Sequence, residues 1–171
     1  MDGYVHVYTG DGKGKTTAAL GLALRAAGAG LRVYIAQFVK GMAYNEHHAL
    51  DRFPDLITVR QFGREGFIHD QPSPLDRDAA RAGLEEVRGV LASGDYQVVI
   101  LDEANIAVHF GLISVDDLLG LMDTRPPGVE LVITGRRAHP AVVQYADLVT
   151  EMLEIKHYYH DGVQARQGIE C

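Results

Sequence analysis

Thr9-Gly10-Asp11-Gly12-Lys13-Gly14-Lys15-Thr16-Thr17 lies between an apolar segment, Tyr4-Val5-His6-Val7-Tyr8, and a helical-looking run, Ala18-Ala19-Leu20-Gly21-Leu22-Ala23-Leu24. Strand, glycine-rich turn and helix, in that order, are the setting of a phosphate-binding loop. Gly10, Gly12 and Gly14 let successive backbone N–H groups turn inward as an anion nest. The helix that follows aims its free N–H groups and positive dipole end at the same spot. Lys13 and Lys15 add full charges, and the Thr16 hydroxyl stands where a phosphate-bound Mg²⁺ takes an oxygen ligand. The spacing departs from G-x-x-x-x-G-K-[ST]: Thr9 occupies the first glycine position and Gly10 comes one residue late. Residues 9–17 therefore point to nucleotide binding more firmly than to hydrolysis of a γ-phosphate.

Working outward, apolar segments alternate with helical stretches. Arg32-Val33-Tyr34-Ile35-Ala36-Gln37 reads as a second strand and Leu56-Ile57-Thr58-Val59-Arg60 as a third. Gln97-Val98-Val99-Ile100-Leu101 has no polar alternation, the pattern of a strand covered on both faces. Glu130-Leu131-Val132-Ile133-Thr134 repeats it, and Asp147-Leu148-Val149-Thr150-Glu151-Met152 makes a sixth. Residues 76–91 carry Ala79, Ala80, Gly83, Leu84, Val87 and Leu91 at helical spacing. Ser114 caps a helix through Met122, with Asp116 and Asp117 matching the dipole of its first turn. The expected fold class is α/β: a single P-loop NTPase-like domain over residues 1–171, with a mostly parallel central sheet of about six strands and helices on both faces. Residues 38–48 and 62–75, the latter with Pro72 and Pro74, read as long irregular stretches, which in compact domains are more often functional than idle.

Composition narrows the function classes. A chain of 171 residues, 47% hydrophobic and 23% charged, has the profile of one soluble globular domain. No apolar run approaches the roughly 20 residues of a membrane span. The N-terminus enters a strand almost at once and has no basic leader, so neither signal peptide nor membrane attachment is expected. Cys171 is the only cysteine, which excludes an internal disulfide and fits a reducing cytoplasm. A net charge of −7 with scattered basic residues argues against nucleic acid as a partner.

Side chains with chemistry gather at strand ends, where ligands of open α/β sheets bind. Asp102 and Glu103 follow the buried strand directly and are candidates for holding Mg²⁺ across from the loop. Arg136 follows the next strand and offers a planar set of donors to a phosphate; a solvated turn is its plainer reading. Lys40, Gly41, Asn45 and Glu46 follow the second strand and are candidates for the same cleft. The eight histidines lack ligand spacing, and surface or packing roles suit them better than a zinc site.

Taken together, these residues resemble the P-loop type of ATP:corrinoid adenosyltransferase. The resemblance rests on the loop from Thr9 to Ala19, on Arg25-Ala26 and Gly30, and on Gln37-Phe38-Val39-Lys40-Gly41 with Asn45-Glu46. It continues through Gly66-Phe67, Leu101-Asp102-Glu103, Thr134-Gly135-Arg136, Ala146-Asp147 and Lys156-His157. The tail Gly162-Val163-Gln164-Ala165-Arg166-Gln167-Gly168-Ile169-Glu170 closes the match.

The resemblance implies a reaction: cob(I)alamin attacks the 5′ carbon of ATP and inorganic triphosphate leaves, in adenosylcobalamin biosynthesis or salvage. It implies an ATP lying reversed in the loop, held by residues 9–17 with Lys40, Glu46 and Arg136. It also implies Mg²⁺ on Thr16, Asp102 and Glu103, catalytic roles for Lys15, Phe67 and Glu103, an electron-donating reductase and a homodimer. Family members carry Phe-x-Trp in the loop that covers the corrin, whose rings push the lower axial base off cobalt. This chain has Phe67-Ile68-His69, so Phe67 remains as an apolar wedge while His69 replaces the second ring. The few residues before the first strand leave no extension of the kind some relatives fold over a neighbouring site. Taken without the resemblance, the residues also admit a P-loop ATPase or small-molecule kinase with Glu103 activating the nucleophile, or a nucleotide-binding switch.

Overall fold

Val98-Val99-Ile100-Leu101-Asp102 is buried at every position, and the sheet is built around it. The structure is a computed structural model, and it describes residues 2–41, 45–64 and 71–170. Six strands form one sheet: β1 (Val5–Thr9), β2 (Val33–Phe38), β3 (Ile57–Phe62), β4 (Val98–Asp102), β5 (Glu130–Thr134) and β6 (Leu148–Glu151). Their order is β3-β2-β4-β5-β1-β6, and the neighbouring pairs are parallel. The expected α/β architecture is what the chain adopts.

Two apolar layers cover the sheet, so β2 and β4 must be apolar toward both. On one face α1 (Lys15–Gly28) and α2 (Asn45–Leu50) pack Ala19, Ala23, Ala26 and Leu50 onto Val33, Ile35, Ile100 and Val132. On the other, α3 (Pro74–Ser93), α4 (Ala104–His109), α5 (Val115–Thr124) and α6 (Pro140–Tyr145) cover Tyr34, Ala36, Leu101, Leu131 and Ile133. Leu84 and Leu91 of α3 and Leu118 and Leu121 of α5 are nearly or wholly inaccessible, and truncating such a leucine costs about 2–5 kcal/mol. Gly83 lets α3 approach β3 closely, since a Cβ there would lie 2.5 Å from Phe62 Cγ.

The helix ends follow the capping chemistry. Ser114 accepts from the Asp117 N–H, and Asp117 returns a bond to the Ser114 N–H. Ser73 and Asp76 form the same reciprocal box at α3, two residues ahead of the expected helix start.

The two stretches read as irregular are partly regular. Phe38 ends β2 and residues 45–48 open α2; Phe62 ends β3, while Pro74 and Leu75 begin α3. A six-residue helix is too short to show its period in sequence, which is why α2 escaped the pattern. Phe67 and His69 lie outside the described residues. Among the described residues no helix is long and apolar enough to cross a membrane.

Candidate functional site

Because every pairing is parallel, the carboxyl ends of β1, β2, β4 and β5 share one edge, and the residues just beyond them converge there. The phosphate loop leaves β1 there. Gly10 takes φ 94° and Gly14 φ 119°, left-handed values that a side chain resists. The Gly12 N–H donates to the Met152 carbonyl at 2.7 Å, so the segment after β6 braces the loop from below.

A cleft of about 890 Å³ opens above the loop. Gly12, Lys13, Gly14, Lys15, Thr16 and Thr17 form its floor, and Lys40, Asn45, Glu46, Glu103 and Arg136 stand around it. Thr9, Gly10 and Asp11 do not line it. The Thr9 hydroxyl accepts the Ala138 N–H at 3.2 Å, while Asp11 is exposed. His157, Ala165, Gly168, Ile169 and Glu170 add to the lining, and Lys13 Nζ donates to the Ile169 carbonyl at 2.9 Å. The tail recognised only as a matching pattern is thus part of the cleft lining.

Lys15 is 7% exposed and its ammonium donates to the Gly12 carbonyl at 2.7 Å. Burial lowers its pKa, and the Arg136 charge pushes the same way. A polyanion in the cleft relieves both penalties. Glu103 has the reverse problem: burial raises its pKa, the Asp102 charge adds to that, and Lys40, Lys15 and Arg136 partly oppose it. Its backbone sits at φ 60°, a strained value for a side-chain-bearing residue of the kind that clusters at functional sites.

Asp102 is fully buried and its carboxylate is ringed by donors. Oδ1 accepts from Thr16 Oγ1 at 2.8 Å and Thr134 Oγ1 at 2.7 Å; Oδ2 accepts from Lys40 Nζ at 2.7 Å and Gln37 Nε2 at 3.2 Å. Burial alone would lower the Lys40 pKa, but the Asp102 charge and their hydrogen bond reverse the direction. Gln37 turns its amide nitrogen to Asp102, so its Oε1 faces away and accepts from Gln61 Nε2 at 3.2 Å. His47 Nε2 lies 2.6 Å from that same oxygen, which assigns the proton to Nε2. This polar network ties α2 to the strand ends.

Gln37 and Thr134 were legible only as parts of a matching pattern, and His47 only as a surface or packing residue. The register supplies the missing signal, since Gln37 pairs directly with Asp102 across β2 and β4.

Thr16, in donating its proton to Asp102, leaves its oxygen lone pairs for a cation. With Glu103 these hard oxygens suit Mg²⁺, which takes one or two carboxylates together with phosphate oxygens and water. Among the described residues no three His, Cys, Asp or Glu side chains converge as a cation cage.

Over residues 1–171 the chain matches the model of a family described as ATP:corrinoid adenosyltransferase BtuR/CobO/CobP. It is 38% identical over 170 residues to the corrinoid adenosyltransferase of Pseudomonas aeruginosa, spanning 98% of this chain and 83% of that one. Against the corrinoid adenosyltransferase of Escherichia coli it is 35% identical, spanning 98% and 85%. The corrinoid adenosyltransferase CobA of Salmonella typhimurium is 33% identical over 169 residues, with 98% and 85% covered.

Proposed function

The chain belongs to the ATP:corrinoid adenosyltransferase family, and from that premise we propose that residues 1–171 act as one domain transferring the 5′-deoxyadenosyl group of ATP to the cobalt of a reduced corrinoid. The acceptor is of the cob(I)alamin or cobyrinic acid a,c-diamide type. Its cobalt supplies the electron pair, the bond from the 5′ carbon to oxygen breaks, and inorganic triphosphate takes the pair away. The observation that carries this reading is the tail's place in the lining of the cleft beside the phosphate loop. His157, Ala165, Gly168, Ile169 and Glu170, from the tail characteristic of the family, line one cleft with Lys13 and Gly14, and a simple phosphate hydrolase has no use for such a lining.

The departing triphosphate gains negative charge, which Lys13, Lys15 and Arg136, together with the N-terminus of α1 at Gly14, are suited to stabilise. Lys15 contributes more here than it would in water, since burial leaves its charge unscreened. Thr16, Asp102 and Glu103 would hold Mg²⁺, which neutralises phosphate charge when bound. Thr16 and Glu103 would offer it oxygens directly, and Asp102 would orient the Thr16 hydroxyl. Phe67 and His69 would act on the corrin, with Phe67 as the wedge beneath cobalt. In a reducing cytoplasm an electron-donating reductase would supply the low-valent corrinoid, and the protein would work as a homodimer, with neither nucleic acid nor membrane as partner.

The test is the phosphorus product. With chemically reduced cobalamin, ATP and Mg²⁺ under anaerobic conditions, ³¹P NMR should show triphosphate appearing one-for-one as the Co(I) spectrum disappears. Without corrinoid, ATP should persist. Steady ADP and phosphate release with no corrinoid present overturns the transferase reading in favour of an ATPase or kinase acting at the γ-phosphate.

A further inference from the structure

The Lys40 ammonium stands 2.7 Å from Asp102 Oδ2 and 3.5 Å from Thr16 Oγ1. These oxygens belong to the two residues on which the proposed cation site turns, so a positive charge of the protein's own lies at their junction. The contact is built in. The Lys40 side chain is 18% exposed and Asp102 is wholly buried. Val39, just before it, adopts φ 62°, an outlier for a β-branched residue. Gly63 presses from the other side, since a Cβ there would lie 2.4 Å from the Lys40 backbone nitrogen.

Thr16 spends its proton on Asp102 Oδ1, so Lys40 meets the Thr16 oxygen on its lone-pair side. That is the side a cation takes. Mg²⁺ sits roughly 2.1 Å from its oxygen ligands, and an ammonium at this junction overlaps the volume the metal and its inner waters require. Two positive charges so close also repel.

We propose that Lys40 competes with the divalent cation: the metal enters as the ammonium leaves Asp102 Oδ2, and the released charge turns to the polyphosphate. Lys40 lines the same cleft as Lys13 and Lys15, so a bound polyanion receives it. Cation and polyphosphate binding are then coupled, each favouring the other. The inference rests on the proposed Thr16–Asp102–Glu103 cation site.

The experiment titrates Mn²⁺ into the protein without nucleotide and reads the free ion by electron paramagnetic resonance. Lys40→Met, which removes the charge but keeps the length, should bind Mn²⁺ at least tenfold more tightly than wild type. ATP should narrow that gap. Equal or weaker binding by Lys40→Met overturns the competition but leaves the cation site standing, provided Asp102→Asn still weakens Mn²⁺ uptake with ATP present. Mn²⁺ uptake insensitive to Asp102→Asn under all conditions overturns both. Should Lys40→Met not fold, the wild-type Lys40 ammonium signal in ¹H–¹⁵N NMR serves instead. It should shift as Mg²⁺ and ATP are added together, and a signal unmoved at saturation refutes the proposal.

Discussion

Thr134→Val removes one hydroxyl from the centre of the site at almost constant volume. The Thr134 Oγ1 donates to Asp102 Oδ1 at 2.7 Å and accepts the Glu103 N–H at 3.0 Å, in a position with no solvent access. Losing a hydrogen bond to a buried carboxylate costs about 2 kcal/mol, and stranding the Glu103 amide adds about 1–2 kcal/mol. The new methyl recovers no more than about 1 kcal/mol by apolar burial, leaving a net loss of about 2–3 kcal/mol. With a urea slope of about 2 kcal/mol/M, the unfolding midpoint should fall by about 1–1.5 M. Thr134→Ser is the control, because it keeps both hydrogen bonds and loses one methyl, about 1 kcal/mol. If Thr134→Val is no less stable than Thr134→Ser by urea unfolding, the hydroxyl is not what organises Asp102 and Glu103.

Burial and Asp102 raise the Glu103 pKa in the folded state, so between its unfolded and folded values the native protein holds a proton there that the unfolded chain has released. Stability tied to this group is intact below the unfolded carboxylate pKa and lost as pH rises through the folded one. Glu103→Gln should therefore unfold at higher urea than wild type at pH 7 and converge with it under acid. An unchanged pH profile would mean that Glu103 ionises freely. Gly10→Ala forces a Cβ to 2.4 Å from the Met152 carbonyl oxygen at φ 94°, and a strain of about 2 kcal/mol or more should lower the melting temperature by at least about 4 °C. Gly89→Ala meets nothing within 4 Å and should instead stabilise α3 by up to about 1 kcal/mol, so equal melting shifts for the two would refute the steric account.

What the sequence disclosed depended on the range of the forces involved. β4 was legible because burial on both faces leaves only apolar residues, and its ends shifted by a single residue. Ser114 was legible as a cap because capping is settled within four residues. The helices α4 and α6, six residues each, have too little length to display a period. Among site residues, Lys15, Thr16 and Arg136 line the cleft or meet Asp102, as a local motif permits. Gln37 and Thr134 reach Asp102 across separations of 65 and 32 residues, and no local pattern carries that information. The tail is the extreme case, meeting Lys13 across 156 residues.

β1 is the first strand in the chain yet lies inside the sheet, paired with β5 and β6, the last two to be made. Its neighbours are more than a hundred residues downstream, so a growing chain carries the glycine loop over all that length without the Met152 carbonyl that braces Gly12. Loop closures of that span are slow. The segment that announces the fold in sequence is thus among the last to acquire its shape. A nascent chain stalled before β6 would carry the motif intact but without the backbone bonds from Met152 that hold Thr9 and Gly12 in place.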